Sequence, residues 1–516
     1  MKRTLSLLSS AVLALGVMSA QAASLKMAYD ADPVSLDPYE QLSGGTLQLS
    51  HMTYDPLVRW TQELEFEPRL AEKWERVDDR TMRFFLRKGV KFHSGNDFTA
   101  KDVAFTFKRL QDSPDFKGIF APFESINVID DYTVEFKTKE PFPLVLNNMT
   151  YLFPMDSGFF TGTDENGNAK DAMVKHGDSF ASRNISGTGP YTVSYREQGV
   201  RVEFTRNPNY WDTNSPGNAD TITLTPIKED PTRVAALLSG DVDFIAPVPP
   251  TDLDRIDKSD KVDLITMSGT RIITFQMNQE RVEAFKDPKV RLAINYAINQ
   301  EGIVKKIMKG FATPAAQFSP KGYLGHNDSL TPRYDLDKAK ALMKEAGYED
   351  GFTITMMAPN NRYVNDDKIA QAVASMLSRI NIKVDLKTMP KAQYWPEFDK
   401  RAADMMMIGW HSDTEDSNNF FEFLSACPDA DTGMGQYNSG QYCNAEVDKL
   451  MAQANAETDV AKRTEILQSM EKAVYEDAGF VPLHWQDLSW GARKGVHAEK
   501  IVNVFNFPYM GDLVIE

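Results

Sequence analysis

The sequence predicts an α/β protein with a largely parallel sheet and a more β-rich segment set into its first third. Two observations carry this expectation. Through the C-terminal two-thirds, strand-like and helix-like stretches alternate, which calls for parallel strands joined by crossover helices. Residues 59 to 182 break that alternation with short runs of β character. The 516 residues suffice for several domains, and they show no short repeat and no low-complexity tract.

Taken in order, Leu25 to Tyr29 reads as a strand, followed by turns at Asp32-Pro33 and Asp37-Pro38. Gly44 to Tyr54 reads as a helix with Leu47, Leu49 and Met52 on its apolar side. Thr81 to Phe92 is strand-like, with a turn at Lys88-Gly89. The next helix starts at Thr99, with Asp102 three residues on as an acidic form of the capping box and with Val103, Phe105 and Phe107 as its apolar positions. Tyr132 to Glu140 is a strand, and the polar stretch from Phe160 to Gly177 is a surface excursion. Two strands flank Gln198-Gly199, and that hairpin ends in a turn at Pro208-Asn209.

Asp230 to Ile245 reads as a helix, a stop at Gly240 and a short strand. Arg271 to Asn278 is a strand. Asp287 to Asn299 is a helix with proline in its first turn, where proline is favourable. Asp335 to Tyr348 is a further helix. Phe352 to Pro359, a helix from Asp366 to Ile380, and Ile382 to Pro390 form a β-α-β unit. Met405 to Trp410 is another strand, and two helices between Glu446 and Asp477 are split near Asp459.

Composition narrows the class. The chain is 42% hydrophobic and 25% charged, as ordinary globular proteins are. Its formal net charge of −16 argues against nucleic acid and against adhesion to an anionic membrane. Lys2-Arg3, the apolar run Leu5 to Met18 and Ala20-Gln21-Ala22 read as a secretory signal peptide cleaved after Ala22. The expected product is a soluble exported monomer. The two cysteines, Cys427 and Cys443, permit one disulfide in an oxidising compartment, or two buried thiols.

Chemistry concentrates between Met405 and Phe421, where an apolar strand ends in Gly409-Trp410 and His411, Asp413, Glu415 and Asp416 follow. Ligands of open α/β sheets lie at the carboxyl ends of strands. A metal site, an acid–base pair and a clamp for a cationic group are the alternatives. The chain lacks HExxH and Cys-Cys-His spacings, a GxSxG elbow and a glycine-rich phosphate loop, and "SGTGPY" at Ser186 reads as a turn. "DTEDSNN" at Asp413 lacks the glycine and the distal glutamate of a calcium loop. A carboxylate beside an indole suits an amine, through a charge-assisted hydrogen bond and cation–π attraction. Desolvating that carboxylate is costly unless the ligand brings the countercharge.

The segment Leu70 to Leu110, "LAEKWERVDDRTMRFFLRKGVKFHSGNDFTAKDVAFTFKRL", resembles the signature of extracellular solute-binding protein family 5. That is the peptide/nickel class serving ABC importers. "SLDPY" at Ser35, "GTGPY" at Gly187, "NPNYW" at Asn207, "TRVAALLSGDVDFI" at Thr232, "KVRLAINYAIN" at Lys289 and "AKALMKEAGY" at Ala339 resemble its other landmarks, in order. The resemblance implies a periplasmic-binding-protein fold of two lobes and a hinge, with an extra β-rich subdomain in lobe one. Carried onto this chain, lobe one comprises 23–58, 183–269 and 484–516, the inserted subdomain 59–182, and lobe two 270–483. The crossing strands fall near Arg271 and near Pro482-His484.

The same resemblance implies a periplasmic receptor, not an enzyme, needing no cofactor and no metal. It would bind short peptides or peptide-like ligands and pass them to ABC permease subunits in the inner membrane. Gly409-Trp410-His411-Ser412-Asp413 looks like the family's "GWxxD" element, which gives Asp413 the ligand's α-ammonium. Cys427 and Cys443 look like the cysteine pair of the dipeptide binders. "PNNRYVND" at Pro359 offers Arg362 for the ligand carboxylate, with a local spacing that differs from the family's. Tyr363 and Trp395 are further candidates. Glu415 to Phe420 replaces a "DPDNF"-like run, so the pocket beyond the ammonium site is expected to differ. The alternatives are a receptor for a nickel chelate, glutathione, an opine or a sugar, or an exported peptide hydrolase.

Overall fold

The computed structural model describes residues 23–30, 35–113, 115–174, 178–360, 362–412, 414–429 and 433–516. The leader, the Asp32-Pro33 turn and Asp413 lie outside the described residues. No helix among the described residues is long and apolar enough to cross a membrane.

Among the described residues, eleven strands form one large sheet. In chain order they are β1 (Ser24–Tyr29), β2 (Tyr191–Glu197), β3 (Arg201–Arg206), β4 (Thr221–Pro226), β5 (Phe244–Ala246) and β6 (Val262–Met277). They continue with β7 (Ala312–Pro314), β8 (Phe352–Pro359), β9 (Ile382–Met389), β10 (Met405–Trp410) and β11 (Phe480–Arg493). The spatial order is β9-β8-β10-β6-β11-β5-β1-β4-β3-β2, with β7 beside β11.

The sheet is mixed, where the sequence predicted a largely parallel one. β1 runs parallel to β4 and β5, and β8 runs parallel to β9 and β10. The central pairs β6–β10, β6–β11 and β5–β11 are antiparallel, as is the β2–β3 hairpin. Hydrophobic periodicity marks a strand but not its direction. Nothing in the spacing revealed that β6 and β11 are long strands lying side by side.

These two strands join the halves of the molecule. The first half of β6, Val262 to Met267, pairs with Leu488 to Arg493; the second, Arg271 to Gln276, pairs with Phe480 to Gln486. On one side they enter a core containing Ile273, Met405, Met407 and Leu483. On the other they enter a core containing Met27, Leu224, Phe244 and Trp490. The sequence predicted β6 only from Arg271 onward, because its first half is polar and partly exposed, with Thr266, Ser268 and Gly269.

A separate antiparallel sheet, in the order Ala71–Asp78, Thr81–Leu86, Thr133–Thr138, Phe123–Asp130, accounts for the β-rich segment. The helix Ala100–Leu110 packs on it through Phe107, whose ring meets Phe136 edge-on at 5.6 Å. Its start follows the predicted box: Asp102 accepts from the Thr99 N–H at 2.9 Å. Asp335 and Asp459 cap later helices by accepting from Lys338 N and Lys462 N, both at 3.0 Å. Cys427 and Cys443 form a disulfide with Cα atoms 4.6 Å apart.

Candidate ligand-binding cleft

The carboxyl ends of strands from both halves converge on one cleft. β1 leads to Asp30, β5 to Pro247–Thr251, β8 to Arg362–Asn365 and β10 to His411, and all of these line a cavity of about 580 Å³. The crossing strands supply its floor through Thr270, Arg271, Gln486 and Asp487. A second cavity of about 610 Å³ continues past Trp395, Trp410 and Tyr437. The two share Arg271, Arg362, Tyr363 and His411, which form the waist between the chambers.

Register explains the waist. Residues Met405 to Gly409 are buried as β10 runs between β8 and β6. Ile272 lies opposite Trp410, so the chain leaving β10 meets Arg271 and Thr270. The Thr270 hydroxyl and His411 Nδ1 are 2.7 Å apart. Burial, reinforced by the Arg271 charge, holds the His411 imidazole down to about 3, so the ring is neutral at physiological pH. Glu415 lies 3.8 Å from its Nε2, and that contact does not keep a proton on the ring.

Tyr363 is buried against Gly409, and its hydroxyl donates to the Gly409 carbonyl at 3.3 Å. A Cβ at Gly409 would stand 2.6 Å from both the Tyr363 ring and Ile273 Cδ1, so glycine is required for this approach. Burial pushes the Tyr363 phenol up, while the charges of Arg362 and Arg271 pull it partly back, which places both guanidinium groups near the ring. Arg362 is exposed, with its guanidinium 5.0 Å from the Tyr363 ring centroid. Its guanidinium has no ion pair among the described residues.

Trp410 is half-buried in the second chamber. Its indole N–H donates to Asn419 Oδ1 at 2.8 Å, and its ring packs on Tyr437 at 4.8 Å and Phe423 at 5.0 Å. The indole is therefore held in place by protein groups while it lines the chamber. Trp395 lines the same chamber and packs on Tyr394 and Phe398.

The acids after β10 separate in role. Asp416 is fully buried in a two-point ion pair with Arg463, at 3.1 and 3.0 Å. It anchors the loop rather than facing the cleft. The loop is held from the β-rich segment as well, where Asn147 Nδ2 donates to the Thr414 carbonyl at 2.6 Å. Among the described residues, Cys427, Cys443 and Asp448 form the one grouping of potential metal ligands, and both cysteines are bridged.

The structure thus brings Gly409, His411, Arg362 and Tyr363 together at the waist, with Trp410 and Trp395 beyond it. Sequence reasoning passed over Thr270, Gln486 and Asp487, which are polar residues on the crossing strands. The available signal was the polar pair Gln486-Asp487 between the apolar residues Trp485 and Leu488 of β11.

Residues 65–432 match the model for bacterial extracellular solute-binding proteins, family 5 Middle. The chain is 29% identical over 490 residues to the dipeptide-binding protein of Escherichia coli (strain K12), covering 89% of each chain. It is 27% identical over 493 residues to the glutathione-binding protein GsiB of the same organism, covering 92% of each. The structure of the periplasmic binding protein DppA from Helicobacter pylori, in complex with peptide STSA, aligns with a TM-score of 0.77 and 26% identity. It covers 96% of this chain and 98% of that one. The expected α/β periplasmic-binding-protein fold with an extra antiparallel sheet is therefore the one observed. The chain belongs to family 5 of the bacterial extracellular solute-binding proteins, which are non-enzymatic solute carriers of ABC importers.

Proposed function

We propose that the protein is a periplasmic receptor that captures short peptides, or peptide-like amines, in the two-chambered cleft and delivers them to ABC permease subunits in the inner membrane. The observation that carries this reading is the convergence on one cleft of strand ends from both halves, narrowing to a waist where the Arg362 guanidinium has no ion pair among the described residues, with aromatic rings beyond. Arg362 supplies a forked donor for a carboxylate. Asp413, in the loop anchored by Asp416, supplies the countercharge for an α-ammonium. Trp410 and Trp395 give side-chain surface that tolerates variety. In this reading one lobe comprises 23–58, 183–269 and 484–516, the insertion 59–182 and the other lobe 270–483. Closure of the lobes would be driven by contacts made better in the closed state, since a ligand shifts an equilibrium only by its preference.

A second reading is favoured by one specific feature. Arg271 and Arg362 both line the waist, which suits a ligand with an additional carboxylate, such as a glutathione-like peptide. Native mass spectrometry of the exported protein, before and after incubation with a peptide mixture, tests both readings. An intact bound peptide supports the first, and a γ-linked or dicarboxylate ligand the second. A sugar or a metal chelate as the captured solute, or progressive cleavage of the mixture, sinks the peptide-receptor reading.

A further inference from the structure

Asp487 stands out among the groups lining the first chamber. It lies on β11 opposite the register shift of β6 between Met267 and Arg271. Gly269 makes that shift possible, because a Cβ there would sit 1.9 Å from the Gln486 carbonyl oxygen. The two strands consequently close up, and the Asp487 side chain is left facing the cavity. Its Oδ1 is buried and has no hydrogen-bond partner among the described residues. Burial pushes the carboxyl up to about 6, with the Gly269 N–H as the one group easing its charge. Among the described residues no cationic side chain serves it.

The chamber's other charges give a direction. Asp230 is already paired with Arg233 at 2.5 Å, and Asp30 is exposed at the mouth. The cations of the lining, Arg271 and Arg362, lie at the waist. The first chamber's two cations are thus shared with the second chamber, while its three carboxylates, Asp30, Asp230 and Asp487, are not. The three carboxylates are not gathered as a group within 4.8 Å, so they do not form a shared metal site.

We propose that Asp487 is a specificity-determining residue that receives a positively charged side chain of the solute, so that the receptor prefers peptides carrying a lysine- or arginine-type group. This rests on the peptide-receptor reading above. With the solute carboxylate at Arg362, a flexible cationic side chain reaches into the first chamber and supplies the countercharge that the fold withholds. A purely structural carboxylate would behave in the opposite way: it would hold the strands together, and its neutral isostere would loosen them.

The test is calorimetric titration of the full mature protein with the tripeptides Ala-Lys-Ala and Ala-norleucine-Ala. The wild type should favour the lysine peptide by about tenfold or more, the scale of one charge-assisted hydrogen bond. Asp487→Asn should bring the two affinities within about twofold while leaving the norleucine peptide unchanged, and its melting temperature at pH 7.5 should rise. Asp487→Ser provides a second variant should the amide introduce new contacts. Binding of both peptides without preference, or a preference that survives both substitutions, overturns the proposal and leaves the peptide reading intact. Failure of both peptides to bind the wild type at millimolar concentration overturns both.

Discussion

The Tyr363 hydroxyl donates to the Gly409 carbonyl at 3.3 Å, and the Tyr363 ring leaves no room for a Cβ on Gly409. The phenol that supports Arg362 is thereby keyed to the end of β10. Gly409→Ala should overpack this contact, costing about 1–3 kcal/mol of stability. It should also weaken solute affinity by about tenfold, by displacing the ring under the guanidinium. Thermal denaturation and calorimetry check the two effects, and an unchanged dissociation constant in a folded Gly409→Ala protein would contradict the keyed waist.

The Asp416–Arg463 pair should matter for folding rather than recognition. Both side chains are almost fully excluded from solvent. Asp416→Ala leaves an uncompensated buried guanidinium and should cost about 3–5 kcal/mol in urea denaturation. A loss below about 1 kcal/mol would show that the pair is solvated in solution.

Two of the strands' placements were legible in the sequence and their relation was not. Met405–Trp410 and Phe352–Pro359 announce themselves as apolar runs with turn signals after them, and Asp102, Asp335 and Asp459 mark helix starts by local hydrogen bonds. Arg362, Tyr363 and His411 follow such strand ends, so a rule about strand carboxyl ends reaches them. The antiparallel pairing of β6 with β11 depends on residues about two hundred positions apart, and no local pattern encodes it. Thr270 and Asp487 face the cleft only because of that pairing and its register shift, which is why they escaped the sequence reading.

His484 gives a pH signature. It is fully buried on β11, neither ring nitrogen has a partner among the described residues, and burial holds it down to about 4. A histidine with a depressed folded pKa contributes stability above its unfolded value of about 6.5, and that contribution is lost as pH falls toward and through the folded value. Denaturation of the wild type and of His484→Leu should therefore diverge as pH is lowered from about 6.5 to 4, with the wild type losing more. Parallel curves would contradict a neutral buried ring. Glu471 works in the other direction, since burial pushes its carboxyl up to about 7 and its contribution falls as pH rises through that value. The comparison of variants separates the two.

The Cys427–Cys443 bridge closes a loop just beyond the segment after β10. Removing it as Cys427→Ser/Cys443→Ser should lower stability by about 3 kcal/mol, the chain-entropy value for a loop of about 15 residues. Guanidinium titration of the double variant against the wild type measures it, and equal midpoints would show that the loop is already ordered without the bridge.

The central claim is that solute is held at the waist between the chambers. The most direct measurement is the crystal structure of the protein with the solute it retains on purification from the exported fraction. The account predicts an intact peptide-like molecule spanning Arg362, Tyr363 and Trp410, with its carboxylate on Arg362. A solute seated outside both chambers, or one held at the waist by neither Arg362 nor the Trp410 loop, would contradict it.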